Sequence, residues 1–156
     1  MSTYPSIDTL IPHKPPMMLI AEVVGEVEEG LVAIARPDSK AWYATDDGSM
    51  PAWIGIELMA QSISAWAGLQ AYKAGKPPKK GFLVGTREYT SKCSSFAAGK
   101  TLFIEVRKVF SDTKGLAAFN CLIRDETTTL AEAVVKVIDL DSYGAVTGQS
   151  GKHYGQ

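Results

Sequence analysis

Residues 48–72 read GSMPAWIGIELMAQSISAWAGLQAY, and Glu57 is the only charged side chain among them. Ser49 is a residue type that caps helix N-termini, and Pro51 suits the first helical position. Gly75, just beyond this stretch, is a typical stop signal. The sequence therefore predicts one long helix over residues 50–74. Because this helix is apolar on nearly every side, other elements must enclose it.

Glu57 is the candidate functional residue of this helix. An ionised carboxylate in apolar surroundings is strongly disfavoured unless it is paired, protonated or placed at a wet pocket. A carboxyl held in that way suits a general acid. The alternative is structural, with Glu57 on a narrow exposed edge or bound to a backbone group. Gln61, one turn later on the same face, either orients the carboxyl, contacts a substrate or satisfies a backbone group.

The segments around the helix read as β-strands. Before it, a hairpin is predicted over residues 17–27 and 31–35, followed by a possible short strand at 41–43. After it, four strands are predicted at 82–89, 102–110, 116–124 and 130–140. This order predicts an α+β hot-dog fold, in which a curved antiparallel sheet wraps around one long central helix. We expect residues 1–142 to form a single domain and residues 143–156, rich in Gly, to form a flexible C-terminal tail.

Composition excludes several classes of function. Acidic and basic residues nearly balance, 17 against 16, so nothing favours nucleic acid as a partner. The start MSTYPSIDTL has neither the basic nor the apolar part of a signal peptide, and polar residues interrupt the long helix. We therefore expect a cytoplasmic protein with no membrane contact. Cys93, Cys121 and two histidines match no metal-ligand spacing, and we expect no metal and no cofactor.

The open edges of such a sheet favour association with another chain. Unpaired strand edges are commonly protected by dimerisation, which would place two helices face to face. We expect a homodimer or a hetero-oligomer with another hot-dog subunit.

Four segments carry a resemblance to a known family. They are IPHKPPMMLI at 11–20, Met50-Pro51 with ELMAQ at 57–61, FLVG at 82–85 and AGKTLFIEV at 98–106. In order and spacing they resemble the β-hydroxyacyl-[acyl carrier protein] dehydratases of fatty-acid synthesis. The resemblance covers residues 8–140 and is nearest to a divergent predicted-dehydratase branch associated with aryl-polyene biosynthesis.

The resemblance implies a syn elimination of water from a β-hydroxyacyl thioester. A histidine takes the C2 proton, and an acidic residue on the helix, matched here by Glu57, protonates the leaving hydroxyl. The family's usual loop histidine is absent, and Tyr43 occupies its position. His13, in a segment stiffened by prolines, is then the candidate base. We expect His13 and Glu57 about 5–8 Å apart at one pocket. The alternative is a purely structural His13.

Other residues are candidate contacts for the substrate. Pro51 at the helix start would leave the N–H groups of Ala52 and Trp53 free to polarise a thioester carbonyl. Four apolar residues of the helix would either line an acyl tunnel or pack in the core; they are Trp53, Met59, Ile63 and Trp66. Residues 73–92 include six basic residues and one acidic residue, Glu88. This positive charge would attract an acidic acyl carrier protein or the phosphates of coenzyme A, unless the segment is simply a solvated loop. The candidate contacts are Lys79, Lys80, Arg87 and Lys92.

Two other functions compete with the dehydratase. A hot-dog acyl thioesterase would use Glu57 to activate water or attack the thioester, and would need no histidine. A catalytically weak partner subunit would bind a carrier protein or complete a hetero-oligomeric dehydratase. The missing loop histidine favours the thioesterase, whereas the segment around His13 favours the dehydratase.

Overall fold

The computed structural model describes residues 3–77 and 82–139. Its two helices are α1 (Ile7–Leu10) and α2 (Ile54–Lys73). Its strands are β1 (Glu22–Val27), β2 (Gly30–Ala35), β3 (Met50–Pro51), β4 (Phe82–Ser91), β5 (Ser95–Phe96), β6 (Leu102–Ser111), β7 (Leu116–Arg124) and β8 (Thr129–Asp139).

Six strands form one antiparallel sheet in the order β1-β2-β6-β7-β8-β4. The short strands β3 and β5 pair separately. Helix α2 contacts β2, β4, β6, β7 and β8, so the sheet encloses the helix along most of its width. The predicted α+β hot-dog architecture with one long central helix is confirmed.

The core lies between α2 and the inner face of the sheet. In β6 alternate residues Leu102, Ile104 and Val106 are buried, as expected where one face of a strand is covered. Leu58 and Ile63 of α2 belong to the same hydrophobic cluster. Polar residues of α2 are buried as well, namely Gln61, Ser62 and Ser64. Burial around most of its circumference explains why α2 has no distinct polar face.

The start of α2 differs from the prediction. Met50 and Pro51 pair with Phe96 and Ser95 as strand β3, and the helix begins only at Ile54. Trp53 is therefore the N-cap residue, and the predicted cap at Ser49 is wrong. The prediction failed because pairing with a strand about 45 residues away is not visible in local residue preferences.

The N-terminal half also differs in detail. The first predicted strand begins at Glu22 rather than at residue 17, and residues 41–43 form a turn instead of a short strand. The short helix α1 was not predicted. The later strands agree with the prediction to within two residues at each described end. The predicted tail at 143–156 lies outside the described residues. Within the described residues, neither helix has the length and apolarity that crossing a membrane requires.

Candidate active site

His13 lies on the segment that connects α1 to β1. Leu10 and Ile11 before it, and Ile20 after it, are almost completely buried. The segment is thus attached to the core on both sides of the histidine. The buried residues on both sides fix the position of His13, although His13 itself lies outside any helix or strand.

Gln61 joins this segment to α2. Its side chain is fully buried, and its Oε1 accepts hydrogen bonds from the N–H groups of Leu19 at 2.8 Å and Ile20 at 3.4 Å. Its Nε2 donates to the Met17 carbonyl at 2.7 Å and to Glu57 Oε2 at 2.8 Å. All four hydrogen-bonding positions of the amide are therefore occupied. The predicted contact of Gln61 with an acyl thioester is not supported, because the side chain has no exposed surface.

His13 and Glu57, the two predicted catalytic residues, meet within one chain. His13 Nε2 lies 3.6 Å from Glu57 Oε2, and the side chains are 30% and 41% exposed. The distance is longer than a hydrogen bond but shorter than the expected separation of about 5–8 Å. The two groups are this close because Gln61 binds both the carboxyl and the segment of the histidine. Both residues are open to a substrate.

The two nitrogens of the His13 ring have different surroundings. Nε2 faces the Glu57 carboxyl, whereas Nδ1 is buried and has no hydrogen-bond partner within the described part of the chain. The exposed part of the His13 side chain, 30% of it, therefore does not include Nδ1.

The helix start beside Glu57 is held by groups that the sequence did not reveal. The Ala52 N–H donates to the Ser94 carbonyl at 3.0 Å, and the Tyr89 hydroxyl donates to the Ala52 carbonyl at 2.5 Å. Burial raises the pKa of Tyr89 to about 12, so this hydroxyl keeps its proton and remains a donor. The prediction that the Ala52 N–H is free to polarise a thioester is wrong, since pairing near β3 and β5 occupies it.

Gly55 makes room for Tyr89. A Cβ at Gly55 would lie 2.1 Å from the Tyr89 hydroxyl oxygen and 3.0 Å from Cδ1 of Ile123. A glycine inside a predicted helix often has a packing reason, so Gly55 gave a sequence signal for a close contact at this position. Tyr89 itself had none.

Trp53, the other predicted donor, precedes the first turn of α2. The residue is 64% exposed, so it lines no enclosed tunnel. Trp53 stands four residues before Glu57, a spacing that puts two positions on the same face of a helix.

Tyr43, at the position of the family's loop histidine, is a core residue. Its ring is buried and packs edge-on against Trp42, with centroids 5.5 Å apart. Its hydroxyl accepts the Asp38 N–H at 2.9 Å, and burial raises its pKa. The side chain stabilises the loop before α2, and His13 is the described histidine that faces Glu57.

The predicted acyl tunnel is only partly present. A groove of about 510 Å³ runs along the C-terminal half of α2 and includes Ile63 and Trp66, but Met59 is fully buried in the core. Trp66 packs edge-on against Phe119, with Lys108 above its ring. His13 and Glu57 do not line this groove, so the structure does not join it to the pair within one chain.

The predicted basic surface is described only in part. Lys92 is exposed, whereas Lys73, from the same basic segment, is paired with Glu26. Lys79 and Lys80 and the side chain of Arg87 lie outside the described residues. No three His, Cys, Asp or Glu side chains within the described ranges come together as metal ligands.

The sequence matches the ApeP-like dehydratase model over residues 5–147, nearly its whole length. The chain belongs to the ApeP-like dehydratase family. The family predicted from the four motifs is thereby confirmed. No curated protein matches the chain.

Solved structures show the same fold in other proteins. The chain is similar to a structure of the dehydratase heterocomplex ApeI:P from Xenorhabdus doucetiae, with a TM-score of 0.81, 23% identity and coverage of 87% of this chain and 91% of the other. A putative thioesterase from Shewanella oneidensis has a TM-score of 0.55 and 13% identity, covering 78% and 84%. The protein smu.793 from Streptococcus mutans, bound to acetyl CoA, has a TM-score of 0.54 and 14% identity, covering 75% and 86%. At these identities the likeness shows the shared hot-dog fold.

Family and fold together support a dehydratase or thioesterase type of function. Beside these findings, the Glu57 side chain is 41% exposed, and its Oε2 accepts a hydrogen bond from Gln61.

Proposed function

We propose that this chain removes water from β-hydroxyacyl thioesters and leaves the thioester bond intact. The observation that carries the proposal is the 3.6 Å contact between His13 Nε2 and Glu57 Oε2, with the carboxyl fixed by Gln61. The reaction takes a proton from C2 and a hydroxyl from C3, which are adjacent carbons. When the C2 proton and the C3 hydroxyl leave from the same face of the substrate, the side chains that accept and donate protons must lie close together.

The acyl group is proposed to arrive on an acyl carrier protein. Six basic residues between positions 73 and 92 against one acidic residue support this substrate, since carrier proteins are acidic. Exposed Lys92 belongs to this segment, as do Lys79, Lys80 and Arg87 in the sequence. Coenzyme A thioesters, with their phosphates, are the comparison substrates.

A second hot-dog chain is the proposed partner. A similar structure, at 23% identity, is a dehydratase heterocomplex, and the sheet ends in the outer strands β1 and β4. The partner would be a second copy of this chain or a different hot-dog subunit. Activity is therefore measured for the chain alone and after co-expression with a different hot-dog subunit.

The substitution Glu57→Gln tests the site. It is nearly isosteric but can neither take nor deliver a proton, so we expect a loss of roughly 10²- to 10⁴-fold in the rate of water loss. The α,β-unsaturated product is followed by mass spectrometry. Glu132→Gln, on the exposed outer side of β8, is the matched control and should react at the wild-type rate. Near-normal turnover by Glu57→Gln would show that the carboxyl is structural.

Thiol release separates the dehydratase from the thioesterase. A dehydratase releases no thiol above background, whereas a thioesterase frees the carrier's thiol and would lose that activity with Glu57→Gln. Thiol release that survives His13→Ala would establish the thioesterase. Carrier binding with neither product would identify a partner subunit without catalysis of its own.

A further inference from the structure

The three residues that follow His13 have few groups by which the fold can hold them. Two of these residues, Pro15 and Pro16, have no backbone N–H. The Lys14 carbonyl accepts the Met17 N–H at 2.8 Å, which is a hydrogen bond within the same segment. Among the described residues, the Pro16 carbonyl alone links this stretch by a hydrogen bond to another part of the chain. The donor of that bond therefore helps to determine where the stretch lies.

Trp42 is that donor. Its indole Nε1 donates to the Pro16 carbonyl at 3.0 Å, across 26 positions of sequence. The indole also packs edge-on against Tyr43, with ring centroids 5.5 Å apart. Tyr43 is a core residue, and its hydroxyl accepts the Asp38 N–H at 2.9 Å. Although Trp42 is 51% exposed, its indole is thus held at two points, by the core and by the segment of the histidine.

Two side chains therefore attach the segment of His13, and they come from different parts of the fold. Gln61 of α2 binds backbone groups between residues 17 and 20. Trp42, from the loop before α2, binds at Pro16, which is nearer to the histidine. Because each proline fixes its own φ angle, the two prolines form a stiff connection. A displacement of the Pro16 carbonyl would consequently displace the histidine as well.

We propose that Trp42 is a positioning residue for the dehydration, since its indole N–H keeps His13 Nε2 opposite the Glu57 carboxyl; this inference rests on the proposed function. Nε2 lies 3.6 Å from Glu57 Oε2. These two groups are the base and the acid of the proposed reaction, and a misplacement of about 1 Å at such a site can cost about 10²-fold in rate. Trp42 takes no proton itself and acts through His13.

The substitution Trp42→Phe tests this role because it removes the indole N–H and keeps an aromatic ring. We expect kcat for water loss to fall about tenfold through misplacement of His13. KM should stay within about twofold, because no contact with the substrate is removed. Tyr72→Phe is the matched control, since it also removes one polar group from an exposed aromatic ring, and it should keep the wild-type kcat. A wild-type kcat for Trp42→Phe, or a rise in KM alone, would overturn the inference.

The His13→Ala background separates positioning from a general loss of stability. Without the imidazole there is nothing for Trp42 to position, so Trp42→Phe should cause no further loss of rate in that background. A change that only reduced the amount of folded protein would lower the rate by the same factor in both backgrounds. Equal losses in the wild-type and His13→Ala backgrounds would therefore overturn the inference.

A chemical probe of His13 tests the same role without any measurement of activity. His13 and His153 are the only histidines, so a His153→Gln background leaves a single imidazole in the full-length chain. Diethyl pyrocarbonate modifies accessible imidazoles, and mass spectrometry follows the His13 peptide. We expect faster modification with Trp42→Phe than without it, because the segment loses one attachment. An unchanged rate of modification would overturn the inference.

The two measurements distinguish the inference from the function on which it rests. If the wild type shows no water loss, either by itself or with a second hot-dog chain, the proposed function fails. Faster modification of His13 in Trp42→Phe would then still support the attachment of the segment by Trp42. If the wild type removes water and neither kcat nor the rate of modification responds to Trp42→Phe, the inference fails alone.

Discussion

Gln61 is the residue on which the geometry of the pair depends. Its amide has two donors and two acceptor positions, and each is used by a different group. A buried amide satisfied in this way is rigid, because any rotation would break several hydrogen bonds at once. The position of Glu57 is consequently set by the same side chain that fixes the segment of His13.

Replacing Gln61 with Met should therefore reduce both stability and activity. Met has a similar shape and adapts to irregular space, but it leaves three backbone groups at Met17, Leu19 and Ile20 without partners. We expect the free energy of unfolding to fall by about 2–4 kcal/mol, measured by urea denaturation. Gln70→Met, at an exposed position of the same helix, is the control and should change stability by less than about 0.5 kcal/mol. Equal behaviour of the two variants would contradict the role assigned to Gln61.

At the scale of elements, the first turn of α2 is fixed by strand β4. Tyr89 of β4 reaches the Ala52 carbonyl, and Gly55 supplies the space for its ring. This contact sets how far the helix start can approach the sheet. The position of Glu57, two residues further along, follows from it.

Gly55→Ala should destabilise the protein although alanine is the better helix former. The gain in helix propensity is at most about 1 kcal/mol, whereas overpacking against Tyr89 costs about 1–3 kcal/mol. The hydroxyl cannot easily move, since it is hydrogen-bonded to Ala52. Thermal melting should show a lower Tm, while Gly25→Ala, with nothing within 4 Å of the added Cβ, serves as the control.

A double-mutant cycle identifies the cause of that loss. Tyr89→Phe removes the oxygen that would clash at 2.1 Å. In the Tyr89→Phe background, Gly55→Ala should therefore cost less than in the wild type, and the two changes should not be additive. Additive losses would show that the contact between Gly55 and Tyr89 is not what limits the helix start.

At the scale of the whole molecule, the sheet has two outer strands of unequal length. β1 has six residues and an irregularity between Val23 and Gly25, which reduces its ability to pair with another strand. β4 has ten residues and an irregularity of its own between Thr86 and Glu88, and within the described residues it pairs with β8 alone. The β4 edge is therefore the longer surface for association.

We expect the purified chain to have the mass of two subunits, either as a homodimer or with a co-expressed hot-dog chain. Size-exclusion chromatography with light scattering measures that mass directly. Dilution through the micromolar range tests its strength, because a specific interface should persist there. A monomer under both conditions would contradict the predicted assembly.

The sequence alone determined the architecture of this protein. A single long apolar helix between a hairpin and four strands can be enclosed in few ways. The pattern of apolar positions that reveals the helix and the strands can be read from neighbouring residues along the chain. Glu57 was identified for the same reason, since one charge in such a helix requires a partner or water. The four motifs likewise lie in continuous segments and led to the correct family.

The tertiary structure decided how the site is arranged. The distance between His13 and Glu57, the occupied N–H of Ala52 and the contact of Tyr89 with the helix start all join residues more than thirty positions apart. Residue preferences report the neighbours along the chain, and hydrogen bonds of this kind depend on how the folded elements meet. For this reason the sequence identified the catalytic candidates, but only packing showed that a buried glutamine holds them together and that one nitrogen of His13 is closed off.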